Sequence, residues 1–193
     1  MTTRATILAA ALLSEGLLVA VAYAIYWATG LSFTLFASAA QLAFGAAAAI
    51  PLLIFNHVLW LWSLKHPDTV FARFSREIIV PLCTRIPPLL ALVVAVLSGF
   101  AEELLFRGAL NQVLTTAGGA TFAAFVSSAL FAYVHFIGNL RRFGGMIPLY
   151  TGVGLYLWVV VAATGSLAAA MVTHGAYNFL AILMIRHKAV GLR

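Results

Sequence analysis

Two adjacent carboxylates and a guanidinium lie within six residues of an otherwise apolar stretch, at Glu102, Glu103 and Arg107. On membrane-insertion scales, each charged side chain at the centre of a helix costs roughly 2.5–3.5 kcal/mol. Charges at that depth therefore have partners and a function. Glu103 and Arg107 are four residues apart and share a helix face, so we expect them to form an ion pair. Glu102 points about 100° away and, without that partner, is a candidate general base.

Three further polar side chains lie in later apolar stretches: His135, His174 and Asn178. His174 and Asn178 are four residues apart and share one helix face. Side chains of these types can transfer protons and donate hydrogen bonds. One carboxylate, two imidazoles and one carboxamide supply both functions when a fold brings them together.

The elements that must position these side chains are membrane helices. Of the 193 residues, 64% are hydrophobic and 8% are charged, and the mean hydropathy is +1.06. A soluble domain of this size cannot cover so much apolar surface with so few charges. The apolar runs are long and continuous, as in membrane helices. We therefore predict an all-α fold, a polytopic transmembrane helical bundle of about six spans that forms a single membrane domain over residues 1–193.

Turn and charge signals divide the chain into six predicted spans and a candidate catalytic core at about 87–185. The first apolar run is longer than the core of a signal peptide, so we interpret it as a retained helix. It contains Glu15, for which a packing hydrogen bond is favoured over a functional role. The polar connection over residues 65–86 carries an amphipathic stripe typical of a short helix at the bilayer surface. The spans cover about residues 6–29, 33–64, 87–115, 120–137, 146–163 and 166–185.

The net charge of +6 follows the connections and is not gathered into one patch, so we expect no nucleic-acid partner. On a six-span model, all the basic connections fall on one side: Arg4, residues 65–86, Arg141 with Arg142, and the C-terminal tail. The opposite connections carry no Lys or Arg. This asymmetry predicts that both termini are cytoplasmic, in a multi-pass protein of a bacterial inner (plasma) membrane.

Counting from the turns predicts that the polar side chains meet. From the Gly118-Gly119 turn, Glu102 lies 16 residues back and His135 lies 16 residues forward. With a rise of ~1.5 Å per residue in both arms of an antiparallel hairpin, they reach the same level. His174 and Asn178 lie nearer to their own turn, and a tilt of the sixth helix brings them within reach.

The same side chains belong to three short motifs, each in an apolar span. They are Glu-Glu-x-x-x-Arg, Phe-x-x-x-His and His-x-x-x-Asn, present as Glu102-Glu103-Leu-Leu-Phe-Arg107, Phe131-Ala-Tyr-Val-His135 and His174-Gly-Ala-Tyr-Asn178. In type and order they are similar to the motifs of the CPBP family of CAAX proteases and bacteriocin-processing enzymes. The resemblance covers residues 102–178, and the first two helices match only in being hydrophobic.

This resemblance implies an intramembrane endopeptidase of the glutamic type, similar to the eukaryotic enzyme that trims prenylated CAAX proteins. Carried over residue by residue, it assigns Glu102 and His135 to a water that they hold and deprotonate. It assigns His174 and Asn178 to the oxyanion, and the neighbouring ion pair to support of the helix. The implied partners are the lipid bilayer and a membrane-anchored protein or peptide: a lipidated tail, a bacteriocin or pheromone precursor, or a C-terminal sorting segment.

Three alternatives remain open beside this interpretation. The same fold serves a non-catalytic immunity or scaffold protein in which the polar groups only stabilise the bundle. A transporter or proton relay is disfavoured because no inverted repeat or broken-helix pair is apparent. Two His and one Glu also form a thermolysin-like zinc set. No His-Glu-x-x-His helix is present, so we favour catalysis without metal and expect no cofactor.

Overall fold

The computed structural model describes residues 4–191, which contain helices and no β-strand. This confirms the predicted all-α fold. Its α-helices, in chain order, are α1 Arg4–Thr29, α2 Ala39–Lys65, α3 Val70–Phe74, α4 Val80–Arg85, α5 Pro88–Glu103, α6 Asn111–Phe136, α7 Leu140–Phe143, α8 Ile147–Thr164 and α9 Leu167–Gly191.

Four helical stretches in the described part of the chain are long and apolar enough to cross a membrane. They are Ala5–Thr29, Ala39–Lys65, Pro88–Thr164 and Leu167–His187. The protein is therefore an integral membrane helical bundle. The third stretch is 77 residues long and includes α5, α6 and α8, so six crossings remain a prediction.

A sharp turn divides α6 at Gly119, whose φ of 82° and ψ of 173° are accessible essentially to glycine alone. Beyond this turn the chain runs back along itself. Asn111 Nδ2 donates to Ser127 Oγ at 3.4 Å across 16 residues, whereas a straight helix would separate these positions by about 24 Å. The reversal expected at Gly118-Gly119 is thus present, and it sets the level of the second arm against the first.

The 65–86 connection is helical, as the amphipathic pattern predicts. A π-helical turn, Ser75–Ile79, joins α3 to α4. The aromatic side chains of this connection pack against other parts of the protein, although the sequence predicted that this face lies at the bilayer surface. The Phe74 ring centroid is 5.4 Å from that of Phe136 and 5.2 Å from that of Phe143. The connection therefore packs across the bundle and contributes to the walls of its interior.

Close backbone contact holds α9 against α5. A Cβ atom added at Gly99 would lie 2.8 Å from both Gly175 N and Met171 O, so no side chain fits between the two helices there. Small residues allow this approach in membrane bundles. On the other side, Thr173 Oγ1 donates to Gly45 O on α2 at 2.8 Å. These contacts place the first turns of α9 at the level of the carboxylates of α5.

Candidate active site

The carboxylates lie where α5 changes to a π-helical segment, Leu104–Leu110, that continues into α6. Wider turns of this kind occur often at functional sites. Taken as whole residues, Glu102 is 7% exposed, Glu103 is fully buried and Arg107 is 4% exposed. All three charged groups therefore depend on partners inside the bundle.

Glu103 and Arg107 form the ion pair expected from their spacing. Arg107 Nη1 lies 2.9 Å from Glu103 Oε1, and neither side chain has any exposed surface. Arg107 Nη2 donates to Gly154 O on α8 at 2.9 Å. The guanidinium carbon lies 4.4 Å from the centroid of the Phe131 ring. The pair therefore links the π-helical segment to α6 and α8.

His174 is the second partner of Glu103. Its Nδ1 lies 2.8 Å from Glu103 Oε1, the oxygen that also binds Arg107. Sequence analysis missed this contact, since it paired Glu103 with Arg107 alone and His174 with the oxyanion. A signal was available: two adjacent carboxylates point about 100° apart on a helix, so each reaches a different neighbouring helix.

Glu102 faces His135, as the counting from the turn predicted. His135 Nε2 lies 3.6 Å from Glu102 Oε2, and His135 Nδ1 lies 2.8 Å from the carbonyl oxygen of Phe131. A carbonyl only accepts, so Nδ1 carries a proton, and in the neutral ring Nε2 is an acceptor turned toward the carboxylate. Glu102 Oε2 has no hydrogen-bond partner among the described residues.

Asn178 lies near this centre but its amide is partly committed. Asn178 Nδ2 donates to Ser98 Oγ on α5 at 2.9 Å, which leaves one N–H of that amide for another acceptor. Sequence analysis did not single out Ser98, because a lone serine in an apolar helix carries no pattern. The structure thus brings the six predicted residues together in three groups: Glu102 with His135, Glu103 with Arg107 and His174, and Asn178 with Ser98.

His135, His174 and Asn178 line a cavity of about 240 Å³. Glu102 is not among the residues that form its wall. Cys83, the single cysteine of the chain, lines the same cavity from α4, and burial raises the pKa of its thiol to about 11. Most of the lining is apolar and comes from α2, α3, α4, α8 and α9, including Phe55, Leu59, Phe71, Phe74, Leu82, Leu149, Val153 and Ile182.

Glu15 on α1 is a third carboxylate near the centre. It is partly buried and interacts electrostatically with Glu102 and His174. One of its oxygens lies 3.5 Å from the neighbouring Ser14 Oγ, and the other is buried without a partner in the described part of the chain. The packing hydrogen bond expected for Glu15 does not form with another helix within residues 4–191.

A zinc ion would need ligands from both groups of charged residues. Among residues 4–191, no three His, Cys, Asp or Glu side chains are arranged to hold a metal ion. His174 directs Nδ1 to Glu103, so Nε2 is the nitrogen that it could offer to any further partner.

Fold and site together define a class: an integral membrane helical protein with a charged, histidine-containing centre buried beside an apolar cavity. Within that class, residues 84–180, just over half of the chain, match the family described as type II CAAX prenyl endopeptidase Rce1-like. The chain belongs to this family. Membership supports a CAAX-type intramembrane protease activity on a membrane-anchored peptide. All six predicted site residues fall inside the match, whereas α1 and α2 precede it.

Comparison with curated proteins gives no match, and comparison with solved structures gives none either.

Proposed function

We propose that this protein is an intramembrane endopeptidase that hydrolyses a peptide bond in a membrane-anchored protein or peptide, using water activated by Glu102 and His135. The observation that carries the proposal is the distance of 3.6 Å between Glu102 Oε2 and His135 Nε2 beside the cavity. Family membership supports the same activity. No metal takes part in the proposed reaction.

The first step is activation of water between these two acceptors. Two atoms 3.6 Å apart can both accept from one water oxygen placed about 2.8 Å from each. The water then donates one hydrogen to Glu102 and the other to His135 Nε2, and a lone pair remains for attack. As the bond from the water oxygen to the carbonyl carbon forms, Glu102 takes a proton and the carbonyl oxygen becomes an oxyanion.

The second step is collapse of this tetrahedral intermediate. The carbon–nitrogen bond breaks, protonated Glu102 gives its proton to the leaving nitrogen, and the carboxylate is regenerated. The products are a new carboxyl group and a new amine. Glu102 therefore acts as base and then as acid, and His135 keeps its own Nδ1 proton on the Phe131 carbonyl.

The oxyanion is stabilised by His174 and Asn178. Because His174 donates from Nδ1 to Glu103, it can donate from Nε2 as well only as an imidazolium. Glu103 compensates that charge and fixes the ring, so it is a positioning residue, and Arg107 holds Glu103 in turn. Asn178 contributes the N–H that Ser98 leaves free. Donors of this kind, aimed at the developing charge, account for a large share of catalysis in such sites.

The cavity indicates the kind of substrate. A mostly apolar space of about 240 Å³ accepts a hydrocarbon group or apolar side chains next to the scissile bond. We therefore propose that the substrate is a lipid-modified C-terminal segment that enters from the bilayer.

The test is cleavage of an internally quenched farnesylated CAAX peptide by the protein purified in nanodiscs. Glu102→Gln keeps shape and hydrogen bonding but removes the base, so we expect a loss of about 10²–10⁴-fold in kcat. The matched control is Glu77→Gln, since Glu77 is exposed and pairs with the exposed Arg142, and its variant should cut at the wild-type rate. Full activity in Glu102→Gln would show that Glu102 is not the base.

A further inference from the structure

Tyr150, in the first turns of α8, lies at the same centre but outside the three motifs. Its ring centroid is 5.1 Å from that of His135 and 4.8 Å from that of Phe136. Phe74 contacts it from the 65–86 connection at 6.4 Å. Aromatic rings from two other parts of the fold therefore hold the Tyr150 ring in place where it lines the cavity beside His135 and His174.

The hydroxyl of Tyr150 differs from those of two nearby tyrosines. Tyr156, on the same helix, donates to Ala48 O at 2.7 Å, and Tyr177 accepts from Asn56 Nδ2 at 3.0 Å. Tyr150 has no hydrogen-bond partner within residues 4–191, although it interacts electrostatically with both Glu102 and Tyr177. The Tyr150 side chain lines the same cavity as His135, His174 and Asn178, so its free hydroxyl is available to a substrate held there.

The proposed reaction needs donors that these histidines supply poorly. His135 Nε2 accepts from water, and His174 Nε2 donates only when that ring is charged. Asn178 has one N–H left after its bond to Ser98. A phenol hydroxyl is a neutral donor whose proton stays in place below its usual pKa of about 10. It can therefore donate whatever the charge of His174.

We propose that Tyr150 is a further catalytic residue, whose hydroxyl donates a hydrogen bond to the carbonyl oxygen of the scissile peptide as negative charge develops there. The inference rests on the proposed endopeptidase function and adds a donor that the motifs do not contain. No covalent bond of Tyr150 forms or breaks during the reaction. The hydroxyl contributes only where the charge is larger in the transition state than in the bound substrate, so it acts on kcat and leaves KM nearly unchanged.

The experiment compares Tyr150→Phe with Tyr156→Phe in nanodiscs. Each change removes one hydroxyl, and only the first should matter for chemistry. The probe is the quenched farnesylated CAAX peptide, together with the same peptide carrying a thioamide at the scissile bond, whose sulfur is a weak acceptor. For Tyr150→Phe we expect kcat on the amide to fall about 10²-fold. On the thioamide the fall should be much smaller, because the lost bond was weak from the start.

The outcomes separate the two proposals. Wild-type rates in Tyr150→Phe with an inactive Glu102→Gln overturn the role of Tyr150 and leave the endopeptidase intact. An equal loss on amide and thioamide also overturns it, since a purely structural role does not distinguish oxygen from sulfur. Failure of the wild-type protein to cut the peptide overturns both. Should Tyr150→Phe fold poorly, replacing Tyr150 by 3-fluorotyrosine keeps the shape, and a kcat insensitive to the more acidic hydroxyl contradicts the proposal.

Discussion

Glu102 and Glu103 are neighbours in sequence and opposites in environment. The pair of Glu102 with His135 is loose, at 3.6 Å, with side chains that are 10% and 29% exposed. The group of Glu103 with Arg107 and His174 is sealed and tight, at 2.9 and 2.8 Å, with side-chain exposures of 0%, 0% and 6%. A turn of about 100° along one helix thus separates a loosely held carboxylate from one that is fixed by two close partners.

The largest expected effect tests the sealed group. Arg107→Ala leaves Glu103 buried with His174 alone, and breaking a buried ion pair costs about 3–5 kcal/mol. We expect a matching fall in the free energy of unfolding, measured by denaturant titration in mixed micelles, and a fall in the yield of folded protein. Glu102→Gln should leave stability near that of the wild type.

Arg142→Ala is the matched control for that measurement. It breaks the ion pair with Glu77. The Arg142 side chain is 64% exposed and that of Glu77 is 34% exposed, and an exposed pair contributes about 0–1 kcal/mol to the free energy of unfolding. If Arg107→Ala is as stable as Arg142→Ala, the sealed group does not brace the helix and the contrast between the two glutamates is lost.

A smaller effect is expected on the third group, Asn178 with Ser98. Ser98→Ala removes the acceptor of the Asn178 amide, and a hydrogen bond of this type contributes about 1 kcal/mol, or roughly fivefold in rate. We expect kcat on the farnesylated peptide to fall by about that factor, and Ser98→Ala to add little to the loss in Asn178→Ala. Ser63→Ala is the control, since its hydroxyl donates to Trp60 O in its own helix. If the losses of Ser98→Ala and Asn178→Ala add up in the double variant, Ser98 does not act through Asn178.

The smallest expected effect is that of a chelator. A zinc ion would have to draw Glu102, His135 and His174 to one point and so merge the two charged groups. Since no three His, Cys, Asp or Glu side chains among residues 4–191 are arranged to hold a metal ion, we expect activity to persist after phenanthroline treatment. Elemental analysis should find well under one zinc per chain. Stoichiometric zinc that is lost in the variants of all three residues would replace the proposed mechanism by a metal-dependent one.

Local geometry explains what the sequence could predict. The pairing of Glu103 with Arg107 follows from helix periodicity alone, and the meeting of Glu102 with His135 follows from counting equal lengths from one turn. The first argument needs only the number of residues per helical turn, and the second needs only the rise per residue and the position of the turn at Gly119. The all-α membrane fold likewise follows from composition, since long and continuous apolar runs satisfy their backbone within the bilayer as helices.

Contacts between separate helices could not be predicted in the same way. Whether His174 meets Glu103 or only faces the cavity depends on the rotation of α9 about its axis, which the backbone contact at Gly99 and Gly175 sets. Ser98 and Tyr150 belong to no periodic pattern, so only their placement gives them a role. The stripe on the 65–86 connection identifies an apolar face but does not distinguish lipid from protein as its partner.

The π-helical segment Leu104–Leu110 has a consequence for how this chain can change during evolution. A π-helix holds more residues per turn than an α-helix, so its length sets the angle at which α5 meets α6. If this segment kept its length but took up α-helical winding, each of its residues would turn the chain by a larger angle, and α5 would rotate about its axis relative to α6. Glu102 would then leave His135 although every motif residue was still present. The wider winding between Glu103 and Asn111 is therefore as strict a requirement as the identity of the motif residues, and substitutions that favour α-helical winding should be tolerated elsewhere first.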